Sequence, residues 1–183
     1  MAGGWRPVLD PGRGCRRDRA LAARAGVSPP SKQPVSALVV IHTPGLQVLV
    51  MERAGNAGLW QSVTGSREGG EALIDTAVRE VAEETGIAIT ADALTDWQLT
   101  NRFPILPRWR GRYAPGVTHN TEHVFSLQVA DDTPVRLAPD EHTACLWLPW
   151  AEAAARVFSW TNRDAIRLVA RRLSAPRLPR SPS

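Results

Sequence analysis

The stretch Gly65–Ile87, GSREGGEALIDTAVREVAEETGI, decides how the chain is read. Its first part is Gly-rich and loop-like. From Glu71 to Thr85 the apolar residues Ile74, Ala77, Val78 and Val81 recur at the spacing of one helix face. Gly86 is a good residue to end that helix just past its last turn. The last turns hold Glu80, Glu83 and Glu84, although carboxylates at the negative end of a helix dipole cost up to ~1 kcal/mol each. Glu80 and Glu84 are also like charges one turn apart, unfavourable by ~0.2–0.5 kcal/mol. Taken alone, three glutamates read as a solvated acidic face. Helical geometry nevertheless sets Glu80 and Glu84 about 40° apart on one flank of the apolar stripe, with Arg79 and Glu83 further round. Two adjacent carboxylates beside a Gly-rich loop suit a hard divalent cation, since Mg2+ takes oxygen ligands and typically uses one or two carboxylates plus substrate phosphates. Such a cation would reverse the local repulsion.

Outward from this helix, the order of elements is mixed β and α. SPPSKQP, Ser28–Pro34, is a linker that marks the start of a domain. VSALVVIH, Val35–His42, predicts a buried strand, and LQVLVMER, Leu46–Arg53, a second strand that closes a hairpin through Thr43–Gly45. A short strand is expected at Leu59–Val63. Later strands are expected near Leu94–Thr100, Glu122–Val129 and Cys145–Pro149. RFPILPRWRGRYAPGVTHN reads as a long Pro/Arg/aromatic loop, a length that is functional or disordered when it lacks structure of its own. WAEAAARVF and TNRDAIRLVARRL predict two C-terminal helices, the second capped by Thr161 or Asn162. These elements predict a mixed sheet flanked by helices, an α/β class.

Charge is divided unevenly. The chain of 183 residues carries a net +4, but residues 1–30 hold six arginines and two aspartates, and residues 171–183 hold four arginines and no acid. The remaining body, 31–170, is therefore net −4. A nucleic-acid binder would show its basic stripe on the folded part, so the basic ends are expected to be solvated, disordered tails and nucleic acid is not an expected partner. The expected organisation is an N-terminal extension over 1–30, a domain over 31–173 and a tail over 174–183. Lys32 is the only lysine. Cys15 and Cys145 show no metal-ligand spacing, and His119, His123 and His142 do not space as a zinc site. No apolar run reaches the ~18 residues of a membrane span, and the Arg-rich N-terminus lacks the hydrophobic region of a signal peptide. A cytoplasmic protein with no membrane or obligate protein partner is expected.

The full pattern around the helix is Gly65, five residues, Glu71, seven residues, then REVAEETGI from Arg79 to Ile87. That is a complete Nudix box, with Val81 and Ile87 at its two apolar positions, and the chain resembles the Nudix hydrolase family. The resemblance implies an α/β/α sandwich with a mixed sheet, the box forming loop–helix–loop. It implies metal-assisted attack of water on phosphorus in a diphosphate-containing substrate. Glu80 and Glu84 would be Mg2+ ligands, with Mn2+ as a substitute. Glu83 would be a further ligand or help activate the water, Arg79 would orient the carboxylates, and Glu71 would stabilise the loop or assist catalysis. Many members lead into the box with Pro-Gly-Gly; here Thr64 and Ser66 replace the proline and the second glycine.

Outside the box, PVSALVVI, LWQSVTGS, RYAPGVTHNTE, Glu141–His142 and SWTNRDAI resemble the bacterial dihydroneopterin triphosphate pyrophosphohydrolases of folate synthesis, over about residues 32–167. This likeness implies Glu141 as a third metal ligand. It implies substrate contacts at Lys32, Arg53, Thr64, Ser159 and the segment Phe103, Pro104, Ile105 and Leu106. Lys32 and Arg53 would neutralise a triphosphate; Thr64 and Ser159 offer hydroxyls; FPIL would wall a pterin ring. The implied partner is thus a small pterin triphosphate. The alternatives are a Nudix pyrophosphatase acting on (deoxy)nucleoside triphosphates and, further off, a non-catalytic nucleotide- or RNA-binding module, for which the box is unexpectedly whole. Arg102, Arg108, Arg110 and Arg112 either steer an anion to the site or belong to a solvated loop. Trp60 reads as core packing, and Trp147, Trp150 and Trp160 as core or subsurface.

Overall fold

The computed structural model describes residues 31–175. The expectations for 1–30, for Cys15 and for the chain beyond 175 lie outside the described residues. Strand β1 (Val35–His42) is the spine of the sheet, and its burial explains its unbroken apolar run. It pairs in parallel with β6 (His119–Gln128) over its whole length, and antiparallel with β2 (Gln47–Arg53) and β4 (Val63–Ser66). The two-residue β3 (Trp60–Gln61) and β7 (His142–Pro149) pair with β2, and β5 (Leu94–Pro104) closes the other edge against β6. One parallel pair among antiparallel ones makes the sheet mixed, as expected.

Alternation along β1 feeds two cores. Ala37, Val39 and Ile41 face helix α1 (Leu73–Thr85) and pack with Val81, Phe125 and Leu127. Leu38 and Val40 face helices α3 (Trp150–Arg156) and α4 (Trp160–Ser174), packing with Val124, Ala165, Ile166 and Val169. Helices on both faces of the sheet give the α/β/α layering. Each fully buried Val, Ile or Leu contributes ~1.5–3 kcal/mol by leaving water.

Three sequence expectations need correction. Phe103 and Pro104 are not loop but the end of β5, paired with Asn120 and His119. β5 is an edge strand, where a proline without an N–H costs little. The loop from 105 to 118 is further shortened by a helical turn, α2 (Pro107–Arg110). The cap of α4 is Ser159, whose Oγ accepts from the Asn162 N–H at 3.2 Å, so Thr161 and Asn162 lie inside the helix. Trp160 is 48% exposed rather than buried, while Trp60 is a core residue at 7%. Gly86 ends α1 with φ of 71° and donates its N–H to the Ala82 carbonyl, the left-handed close expected of it.

Candidate active site

Helix α1 leads straight from its core-facing stripe to the site. Glu80 and Glu84 belong to its buried face with Ala77 and Val81, and Glu84 is 1% exposed. A buried carboxylate must be paired or hydrogen-bonded. Glu84 Oε2 bonds His142 Nε2 at 3.0 Å, and Oε1 accepts from the Thr64 N–H at 3.4 Å. Burial pushes Glu84 up from its ordinary range; His142 pulls it back and Glu141 opposes it. Glu80 Oε1 accepts from Arg79 Nη1 at 2.7 Å. Burial pushes Glu80 up to about 7, with Arg79 lowering it and the charges of Glu84 and Glu83 raising it again.

Arg79 is the hub of the loop–helix junction. Its guanidinium reaches Glu71 Oε1 at 2.9 Å, Glu80 Oε1 at 2.7 Å, Glu83 Oε2 at 3.0 Å and the Ser66 carbonyl at 3.0 Å. Glu71 lies just before α1 and holds the loop from both sides. It accepts from the Glu68 N–H at 2.8 Å and the Thr76 hydroxyl at 2.9 Å, and its bonds to Arg79 hold it down to about 2. Glu83 is exposed, tied only to Arg79 among the described residues. Arg79 thereby joins Glu71, Glu80 and Glu83, while Glu80 and Glu84 sit on the buried helix flank.

A further acidic residue arrives from the segment before β7, which is bound to the end of α1 through the Ala138 N–H to the Glu84 carbonyl at 3.3 Å. A bulge between Glu52 and Arg53 sets Arg53 opposite His142, and the Ala54 N–H donates to the Glu141 carbonyl at 2.7 Å. Glu84, Glu141 and His142 thereby present ligand atoms within 4.8 Å of one another. Glu80 is not part of this group. The donors fit a hard divalent cation: the carboxylates are oxygen donors whose burial and repulsion a cation relieves. Gly65 supports the fit, because a Cβ there would lie 1.7 Å from the Glu80 carboxyl carbon, in space the carboxylate occupies.

Beside this acidic centre is a cationic one. Arg53 Nη1 donates to Gln61 Oε1 at 3.0 Å, and Gln61 Nε2 donates to Thr64 Oγ1 at 3.2 Å, a relay that ends at the residue bonded to Glu84. Arg53 Nε is buried without a partner among the described residues. Loss of water lowers the Arg53 pKa; Glu84 and Glu141 raise it, Arg112 and Arg108 lower it. Lys32 is lowered by loss of water and by Arg112, against Glu80 and Glu141. Its backbone N–H donates to the Arg112 carbonyl at 2.8 Å. Lys32 and Arg53 thus both feel Arg112, and Arg53 also Arg108, a cluster of positive charge with an unspent donor at Arg53 Nε. The other two loop arginines differ: Arg110 Nε bonds the Ile105 carbonyl at 3.1 Å, and Arg102 lies exposed on β5.

The remaining expected substrate residues separate. Phe103 is half-buried on β5, Ile105 is a core residue and Leu106 is exposed, so FPIL is not one continuous wall. Ser159 spends its hydroxyl on the α4 cap. Sequence reading overlooked His142, whose adjacency to Glu141 is visible but whose partner Glu84 lies 58 positions away. It also assigned no role to Gln61, Asn120 and Glu122, polar residues buried in strands, although Gln61 stands in LWQSVTGS and the other two in RYAPGVTHNTE.

Comparisons with known proteins agree on the kind of molecule this is similar to. Residues 32–169 match the NUDIX domain. The chain is 46% identical over 138 residues to the dihydroneopterin triphosphate diphosphatase of Escherichia coli K12, covering 74% of this chain and 91% of that protein. It is 36% identical over 135 residues to the protein of the same name from Haemophilus influenzae, covering 72% and 84%. The solved structure of the E. coli dihydroneopterin triphosphate pyrophosphohydrolase superposes with a TM-score of 0.70 at 45% identity, covering 75% of this chain and 95% of that one.

Proposed function

This chain belongs to the Nudix family, its domain spanning residues 32–169, and from that premise we propose that it hydrolyses dihydroneopterin triphosphate to dihydroneopterin monophosphate and pyrophosphate. The observation that carries the reading is the 46% identity, over nearly the whole of the relative, to an enzyme of that name. Nudix hydrolases generally use divalent metals, and Mg2+ is the proposed ion, held by Glu84 and Glu141 with Glu80 beside them. When bound, it would polarise the phosphoryl group and acidify the attacking water. Arg79 keeps Glu71, Glu80 and Glu83 in register, and Glu83, exposed at the helix end, would accept a proton from water. Lys32 and Arg53, with Arg108 and Arg112, neutralise the triphosphate. Thr64 holds Glu84 through its N–H. The reaction is proposed to run in the cytoplasm with the pterin triphosphate as its only required partner; no helix among the described residues is long and apolar enough to cross a membrane.

A side-by-side measurement of kcat/KM with Mg2+ is expected to favour dihydroneopterin triphosphate over each dNTP by ~100-fold or more, as expected where a site hydrogen-bonds its substrate's ring. A dNTP hydrolysed as efficiently would overturn the substrate. Arg79→Lys keeps one charge but loses the fork that reaches three carboxylates and a carbonyl. Its kcat is expected to fall ~10–100-fold, the usual cost of losing a partner that orients metal ligands. A kcat within a factor of about 2, well below that usual cost, would remove Arg79 from its orienting role.

A further inference from the structure

Where α4 begins, the sheet face that it covers changes character. Deeper in, that face is apolar: Leu38 and Val40 of β1, Val124 of β6. Period-two alternation places Ser36, Asn120 and Glu122 on the same face. The register lines them into a row. Glu122 stands between Asn101 on β5 and Ser36 on β1, and Ser36 in turn faces Ser66 on β4. Asn120 is the next residue along this face and pairs with Phe103.

Two acceptors in this row have no donor. Glu122 Oε1 and Asn120 Oδ1 are both buried without a hydrogen-bond partner among the described residues. Asn120 spends its amide N–H on Ser36 Oγ at 2.7 Å, which leaves its oxygen free. Glu122 is 6% exposed. Burial pushes its carboxyl up to about 7, with Thr161 and Asn101 pulling it back. Thr161 is in the first turn of α4, whose positive end favours a carboxylate. That explains why the acid is tolerated, but not why an oxygen is left bare: an unsatisfied buried acceptor carries a desolvation penalty that a folded chain normally avoids.

What would satisfy both oxygens is a ligand edge with parallel N–H donors. A pterin presents one, a ring N–H beside an exocyclic amine, and the bare Glu122 Oε1 and Asn120 Oδ1 would accept one donor each. We infer that Glu122, supported by Asn120, is the specificity-determining residue that reads the amino-oxo edge of the pterin ring, with Phe103 against the ring. The inference rests on the dihydroneopterin triphosphate reading. It places the ring on the α4 face of the sheet. Thr64, on β4, offers its N–H to Glu84, so the same strand borders both the ring and the metal-binding carboxylates. Reaching Oε1 takes side-chain rotamer changes around it, which are common on binding. Adenine lacks the edge: it has an amine but an unprotonated ring nitrogen beside it.

The test is the ratio of kcat/KM for dihydroneopterin triphosphate to that for dATP, in the wild-type protein and in Glu122→Gln. The amide is isosteric but turns a donor toward the ring's donors. The ratio is expected to fall ~100-fold in Glu122→Gln, since a site built for a hydrogen-bonded edge loses discrimination steeply when the pairing fails. A purely structural Glu122 would lower both activities together and leave the ratio unchanged, which would overturn the inference while the functional reading stood. A wild-type protein with no pterin preference overturns both. If Glu122→Gln does not fold, fluorescence titration of the wild-type protein decides, using neopterin and its lumazine counterpart, in which the amine is a carbonyl. Neopterin is expected to bind ~100-fold more tightly; equal affinity overturns the inference.

Discussion

Glu84→Gln is expected to lower kcat ~1,000-fold or more at saturating Mg2+ while leaving the chain folded. Removing one buried ligand charge forfeits several kcal/mol of stabilisation at the reacting phosphoryl group, and each 1.36 kcal/mol is about tenfold in rate. The fold has little to lose. Glu84 is fully buried and its carboxylate is raised by that burial, so a neutral amide of the same shape removes a desolvation cost. The amide oxygen can still accept from His142 Nε2, the 3.0 Å contact of the native residue. The amide nitrogen then faces the Thr64 N–H and that 3.4 Å bond is lost, which the desolvation gain offsets, so melting in EDTA should stay close to that of the wild type. Added Mg2+ should raise the wild-type Tm by binding only the native state, and raise the variant's much less. Turnover within about threefold of wild type at saturating Mg2+, where several kcal/mol were to be lost, would remove Glu84 from the metal site.

Where the helix carries these glutamates was legible in the sequence, because helical periodicity is local. The stripe of Ile74, Ala77, Val78 and Val81 gave the register, and the register put Glu80 and Glu84 on its flank; both are buried there. The β1–β2 hairpin was legible for the same reason. What lay beyond reach depends on pairing at a distance. Phe103 and Pro104 sit in a composition typical of loops, and only the ladder to Asn120 and His119 makes them strand. Ser159, Thr161 and Asn162 are equally good caps by type. Ser159 serves because Trp160 already begins the helix, and the preceding Phe158 N–H is bound to the Trp60 carbonyl. His142 could be seen beside Glu141, but its value comes from Glu84 on another element. Glu122 looked like one polar position in an alternating strand. Its neighbours Asn101 and Ser36 come from strands on either side, so no sequence window contains the row they form.

The Gly65 position separates activity from stability most cleanly. Gly65→Ala is expected to cost ~100-fold or more in kcat with the fold intact. A Cβ at this position would lie 1.7 Å from Glu80 Cδ, 1.8 Å from its Oε1 and 2.3 Å from its Cγ. No backbone atom is among these close neighbours, so the relief is a new Glu80 rotamer rather than a shifted strand. Gly65 is also absent from the glycines with positive φ, so alanine fits its backbone without strain. In a strand interior, alanine should in fact gain ~0.5–1 kcal/mol over glycine, which offsets part of the loss as Glu80 gives up its 2.7 Å bond to Arg79. The displaced carboxylate leaves the flank it shares with Glu84, and a shift of ~1 Å in a positioned group is enough to cost ~100-fold. Circular dichroism, Tm and kcat on one preparation check this. An unchanged spectrum, a Tm within a few degrees and a collapsed kcat are the expected set. Full activity in Gly65→Ala would mean that the position of Glu80 against the β4 backbone is irrelevant to turnover.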